Sequence, residues 1–147
     1  MEHDQWEGCY DQGWGKNLVP AAFSHPAKVS FKLAERIYRH AIENGWIKKG
    51  EVVLDPFGGI CGFGYHAMVN GLKFVGVELE EKFVSLGNEN IELWKRELRG
   101  WPNLGDAVLL QGDSRKLKEV VEKAGIVISS PPYAEVRIGQ ESGQEQC

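Results

Sequence analysis

The stretch EVVLDPFGGICGFG, residues 51–64, decides the fold. Its first half, Glu51 to Asp55, is a short β-branched run that Pro56 and a cluster of glycines bring to an end. Such a run, stopped by proline and glycine, reads as a buried strand entering a tight loop. A helical pattern follows over residues 62–70, so the stretch is a strand–loop–helix unit. Glycines let the backbone come close to a ligand and take positive φ, and the helix N-terminus behind them favours an anionic group. A glycine-rich loop alone is also what any tight strand-to-helix turn needs.

The same alternation extends outward. LKFVGVE (72–78), AVLLQGD (107–113) and GIVISS (125–130) read as three further strands, with helical patterns at 80–99 and 114–124. Ahead of the first strand, Val29, Leu33, Ile37 and Ile42 recur at helical spacing within 28–44, and Gly45 is the expected stop. Strands alternating with helices imply right-handed crossovers and a parallel sheet. The expected fold class is α/β, an open sheet, doubly wound and mostly parallel. Residues 1–22 have no periodicity and read as an irregular segment from which Trp6, Tyr10 and Trp14 can reach the core. Residues 23–134 are the expected domain, and 135–147 a polar tail expected to be disordered.

A chain of 147 residues with 42% hydrophobic content supports one core and is too short for two domains. A net charge of −4 provides no general attraction for nucleic acid, although a basic face can sit on an acidic protein. Cys9, Cys61 and Cys147 are odd in number and widely spaced, which argues against a disulfide framework or thiolate zinc site and for a reducing compartment. His3, His40 and His66 lack metal-ligand spacing, so no metal is expected. No apolar run is long enough for a membrane span, and MEHDQWEGCY is acidic where a signal peptide is basic. A soluble, cytoplasmic protein is the expectation.

Every expected strand ends in something polar or conformationally special: Asp55 with its glycine loop, Glu78, Asp113, and Ser130-Pro131-Pro132-Tyr133. In open α/β sheets ligands bind outside the carboxyl ends of the strands, where the winding reverses. Glu78 stands where an acid hydrogen-bonds ribose hydroxyls in nucleoside-binding folds, and Glu80 and Glu81 behind it suit a helix N-terminus. Asp113 is either an acceptor for an adenine exocyclic amine or the cap of the helix expected near Ser114. Ser24 and His25-Pro26 suit the entrance to the first helix. In SSPPY two prolines fix the backbone and remove N–H donors, so the loop presents carbonyl acceptors and the Ser130 hydroxyl beside the flat face of Tyr133. Converging acceptors next to an aromatic ring suit the amino group of a stacked base.

Asp55-Pro56-Phe57-Gly58-Gly59-Ile60-Cys61 together with Ser130-Pro131-Pro132-Tyr133 resembles the S-adenosylmethionine-dependent DNA amino-methyltransferases, which modify cytosine N4 or adenine N6. FSHPAKVSFKLAERI (23–37) resembles that family's N-terminal His-Pro motif, and GVELEEKFVSLGNENIELW is similar to phage-type DNA methylases. The resemblance implies a Rossmann-like class I methyltransferase sheet, apparently truncated after the fourth strand, and S-adenosylmethionine as cofactor. By the resemblance, the cofactor's methionine end lies over Asp55, Pro56, Phe57, Gly58, Gly59 and Gly62, with Phe23, His25 and Pro26 nearby. Its ribose meets Glu78 and its adenine Asp113. A flipped base stacks on Tyr133, with its amine on the Ser130 hydroxyl and Pro131 carbonyl, and serine at position 130 leans the target toward cytosine N4. The family's second loop glycine falls on Cys61. A β-carbon there is expected to forbid positive φ, so that the loop shifts onto Gly62 or the cofactor binds less tightly.

DNA is the expected substrate, through a recognition region this sequence does not contain. The short polar stretch after Tyr133 reads as the end of a truncated product, with an open sheet edge that invites a homodimer or a missing C-terminal half. Two other readings of the motifs are a cofactor-binding remnant that transfers nothing and a methyltransferase for RNA or protein amides.

Overall fold

A computed structural model describes residues 5–26 and 28–132. Seven regular elements carry the fold: α1 (Phe31–Glu43), β1 (Val52–Asp55), α2 (Gly64–Val69), β2 (Lys73–Glu78), α3 (Glu81–Glu97), β3 (Asp106–Gln111) and β4 (Ile126–Val127). The strands form one four-stranded sheet in the order β3-β2-β1-β4, every pair parallel. The chain winds outward from β1 to β3 and then crosses back to the other side of β1. The winding therefore reverses between β1 and β4, as a doubly wound sheet requires.

Register explains the layering. Val53, Phe74 and Ala107 are aligned across β1, β2 and β3 on one face, all at most 5% exposed. Helices α2 and α3 pack against β2 and β3. Leu54, Val75, Val108 and Val127 are aligned on the opposite face, where Val108 and Val127 are 40% and 58% exposed. No helix of the described residues is long and apolar enough to cross a membrane.

Three expectations need correction. Helix α1 buries Phe31, Ala34, Tyr38 and Ala41, while of the expected stripe Val29 and Ile37 pack only partly buried against the core, Leu33 is half-buried and Ile42 is exposed. Tyr38 is fully buried with its hydroxyl donating to the Phe63 carbonyl at 2.9 Å, whereas Ile42 is exposed. The helix expected at 114–124 is a short 3-10 turn, Ser114–Glu119, broken at Lys116. Five of its six residues are polar, so it has no apolar stripe to hold a longer helix on the sheet. The fourth strand is only two residues long, Ile126–Val127, although the flanking Gly125 and Ile128 N–H groups also donate to the Val52 and Leu54 carbonyls of β1.

The N-terminal segment is irregular apart from 3-10 turns at Gly15–Asn17 and Pro20–Ser24, yet it contributes to the core. Trp14, Leu18 and Ala22 are buried in the central cluster. The Trp14 indole donates to the Val29 carbonyl at 2.8 Å and lies nearly parallel to Trp94. Trp94 in turn donates to the Asn17 carbonyl at 2.6 Å. Buried Asn90 ties this strap to the glycine loop, accepting from Val19 N–H at 2.8 Å and donating to the Ile60 carbonyl at 3.0 Å. Trp6 rests on His40 and Arg36, whereas Tyr10 is exposed.

Candidate functional site

Asp55 closes β1 and is buried, 2% exposed. Its Oδ1 accepts the Phe57 N–H at 3.0 Å and the Ser129 hydroxyl at 2.6 Å. Burial pushes its carboxyl pKa up, these two donors pull it back, and the charge of Glu78 pushes it up again. One carboxylate thus ties the start of the glycine loop to the residue preceding Ser130. It does so at the crevice between β1 and β4.

The loop glycines have different duties. A β-carbon on Gly58 would stand 2.6 Å from a Leu109 methyl and 3.3 Å from the Gly76 backbone, so this residue lies against the sheet. Gly59 has φ +54°, and a β-carbon there would come 3.3 Å from the His25 ring. A β-carbon on Gly62 would meet Val29 at 2.8 Å. Cys61 adopts φ 71°, which corrects the expectation that a β-carbon excludes this path. The loop does not slide onto Gly62. Cys61 donates its N–H to the Gly58 carbonyl and accepts from Gly64, each at 2.8 Å. Its sulfur fills the space left by Gly64, where a β-carbon would lie 2.5 Å from it. Burial pushes the thiol pKa well above its ordinary value, so this cysteine is a packing group.

Glu78 ends β2 and holds the loop from the other side. Its Oε2 accepts the Gly59 N–H and its Oε1 the Glu80 N–H, both at 2.9 Å. Asp113 caps the 3-10 turn through the Arg115 N–H, the second of the two readings of its position, and it also lines the cavity. The Arg115 guanidinium grips it as well, and this hydrogen bond is the main reason its pKa is held at about 2. His25 packs edge-on to Phe83 with ring centroids 4.4 Å apart. Its imidazole pKa is lowered, chiefly by burial, with Glu78 opposing and Lys28 adding to the effect. Lys28 donates to the carbonyls of Phe23 and His25.

These groups surround a cavity of about 420 Å³ at the carboxyl ends of the strands. Of the residues singled out from sequence, His25, Asp55, Pro56, Phe57, Gly58, Gly59, Gly62, Glu78, Asp113, Ser130 and Pro132 line it. Phe23, Pro26 and Pro131 lie outside its wall, and Tyr133 lies outside the described residues. Lys28, Leu79, Phe83 and Ser129 were not anticipated. Leu79 had a readable signal, an apolar residue directly after the strand-end acid, and it stands 59% exposed in the cavity. Phe83, one turn into α3, reads from sequence only as a core residue.

Two separated carboxylates, apolar walls from Phe57, Leu79 and Phe83, and a glycine backbone at close approach suit a nucleoside. Carboxylates are acceptors for diol and amine donors, and apolar walls match the flat face of a base. Among the described residues no group of three or more His, Cys, Asp or Glu could hold a metal ion.

The sequence model of a DNA methylase family matches residues 3–89, more than half of the 147. The tRNA (guanine(10)-N2)-dimethyltransferase of Methanothermobacter thermautotrophicus is 28% identical over 76% of this chain and 29% of its own length. The orphan methyltransferase M.BamHII of Bacillus amyloliquefaciens is 34% identical over 51% of this chain and 26% of its own. A Pyrococcus abyssi tRNA (uracil-54, C5)-methyltransferase, solved with S-adenosyl-L-homocysteine, superimposes with a TM-score of 0.51. It is 18% identical, over 74% of this chain and 24% of its own, and so speaks to the fold alone. The chain spans under a third of the length of both curated relatives.

Proposed function

The chain belongs to the DNA methylase family, and on that premise we propose that it binds S-adenosylmethionine and directs methyl transfer to the exocyclic amino group of a nucleic-acid base. One observation carries the reading: the Asp55–Ser129 hydrogen bond joins the glycine loop to the Ser-Pro-Pro loop at the mouth of one nucleoside-sized cavity. The cofactor supplies an electrophilic methyl group on a sulfonium. Glu78 accepts from the ribose hydroxyls with the lone pairs its loop contacts leave free. Asp113 accepts from the adenine amine. Leu79 and Phe83 cover the adenine ring, and the backbone at Gly58 and Gly59 lets the methionine portion come close.

The base amine is a poor nucleophile because its lone pair is delocalised into the ring. The Ser130 hydroxyl and Pro131 carbonyl accept its two hydrogens and favour a pyramidal nitrogen, whose lone pair is then free to attack in line. A nitrogen–carbon bond forms as the carbon–sulfur bond breaks, and the nitrogen afterwards loses a proton to solvent. The family match supports DNA as substrate, with serine at position 130 favouring cytosine N4. The tRNA relative supports RNA as a second reading, and its name also specifies an exocyclic amine, guanine N2.

The test combines S-adenosylhomocysteine titration with transfer of labelled methyl to single-stranded DNA, duplex DNA and tRNA. Binding, transfer to one substrate class, and a Ser130→Ala variant that binds normally but transfers at least tenfold more slowly are expected. Binding without transfer to any of them would reduce the chain to a cofactor-binding protein. Absence of binding would remove the proposal altogether.

A further inference from the structure

The acid assigned to the adenine amine is already engaged. Asp113 Oδ1 accepts the Arg115 N–H at 2.9 Å and Arg115 Nε at 3.0 Å. Its Oδ2 accepts Nη2 at 2.6 Å and Nε at 3.1 Å. A carboxylate offers about four acceptor positions, and three N–H groups crowd them, the single Nε–H being shared between both oxygens, so a ligand amine has to displace one of these donors to bind well. The two oxygens differ in one respect. Oδ1 is held partly by the backbone, whereas both contacts to Oδ2 come from the guanidinium.

We infer that Arg115 is a latch on the adenine-reading acceptor: in the free chain its guanidinium occupies Asp113 and must let go before a nucleobase amine can bind there. The inference rests on the proposed nucleoside site. When the guanidinium leaves, the backbone contact to Oδ1 still orients the carboxylate and Oδ2 becomes available. Asp113 is therefore preorganised and blocked at once. The Asp113 side chain is 23% exposed and lines the cavity, while Arg115 is 85% exposed and does not. The arginine comes from the solvent side and competes for the acceptor, leaving the space for the ring open. A fork of two N–H groups is a good match for a carboxylate, but an exposed pair is weakened by water and salt. The latch is thus strong enough to discriminate and weak enough to open.

Titration calorimetry with adenosine, a neutral nucleoside, and with S-adenosylhomocysteine tests this on the full chain. Arg115→Ala is expected to bind both roughly two- to fivefold more tightly than the wild type, the range an exposed pair allows. Arg115→Lys keeps the charge without the fork and should fall between them, and Lys116→Ala should match the wild type. Raising the salt should tighten adenosine binding to the wild type and leave Arg115→Ala unchanged. Equal or weaker binding by Arg115→Ala, with the wild type binding normally, overturns the latch and leaves the nucleoside site standing. Binding by Arg115→Ala alone would support the latch in its strongest form. If no variant binds either probe, the latch and the nucleoside site fall together.

Discussion

Cys61 offers a test whose sign is set by backbone geometry. With φ at 71°, its β-carbon stands in the left-handed region, which costs an L-residue about 1–2 kcal/mol. Exchanging alanine for glycine at an ordinary buried position costs about 0.5–1 kcal/mol in backbone freedom. Losing the buried methyl adds about 0.8 kcal/mol. At position 61 the relief of strain is of the same size and opposite sign. Cys61→Gly and Cys61→Ala are therefore expected to be equally stable within about 0.5 kcal/mol, by the cancellation of those terms. Both should lie about 1 kcal/mol or more below the wild type, because each empties the space the sulfur fills beside Gly64. Ala67, fully buried in α2 with helical backbone, is the internal control. There, Ala67→Gly should cost about 1–2 kcal/mol, since no strain is relieved. Urea midpoints at a common slope give all three numbers. A glycine variant at 61 that falls below the alanine variant by the Ala67 margin would show that position 61 carries no strain.

Glu78 holds two backbone N–H groups, and glutamine keeps one acceptor oxygen where alanine keeps none. Glu78→Gln should lose about 1 kcal/mol and Glu78→Ala about twice that, at the low end for charged acceptors because the group is half-exposed; equal losses in urea unfolding would contradict the tie. Burial holds the His66 imidazole down at about 4, from an ordinary 6.5, and its Nε2 has no hydrogen-bond partner. The unfolded chain then takes up a proton the folded chain refuses, so this contribution is full above about pH 6.5 and is lost as pH falls toward 4. The slope is at most about 1.4 kcal/mol per pH unit. His66→Phe should flatten that part of the pH profile, and an unchanged profile would assign it elsewhere. Trp14→Ala should cost about 3–5 kcal/mol, as loss of a buried tryptophan does. Full stability in that variant would mean the strap is dispensable.

What could be read from sequence divides along physical lines. β1 to β3, α2 and α3 were legible within a few residues because β-branched runs, glycine punctuation and helical spacing are local signals. The placement of Glu78 and Asp55 at the cavity was legible because crevices in such sheets lie at the carboxyl ends of the strands. The face of α1 was legible only in part, since its buried side is built from Phe31, Tyr38 and two alanines, which carry a weaker apolar signal than the aliphatic residues beside them. The stretch after Asp113 was not, because charged residues satisfy helical propensity without giving the helix anything to pack on. Trp14 was legible as a residue that can reach the core, whereas Leu18 and Ala22 carried no local signal, since the strap around them is held by Asn90 and Trp94, more than 70 residues away. The left-handed cysteine was misjudged for a different reason. Sterics give the cost of that conformation, and the surrounding contacts decide whether it is met.

Asn90 makes one amide side chain the common support of two stretches of backbone that share no direct bond through it. Such a residue couples the two stretches: removing its amide takes the acceptor from Val19 and the donor from the Ile60 carbonyl together. Amide exchange at Val19 and across residues 58–64 should then show the protection of both stretches falling together in Asn90→Ala. The lifetime of the closed glycine loop is thus written partly in Asn90 and Val19, which do not line the cavity.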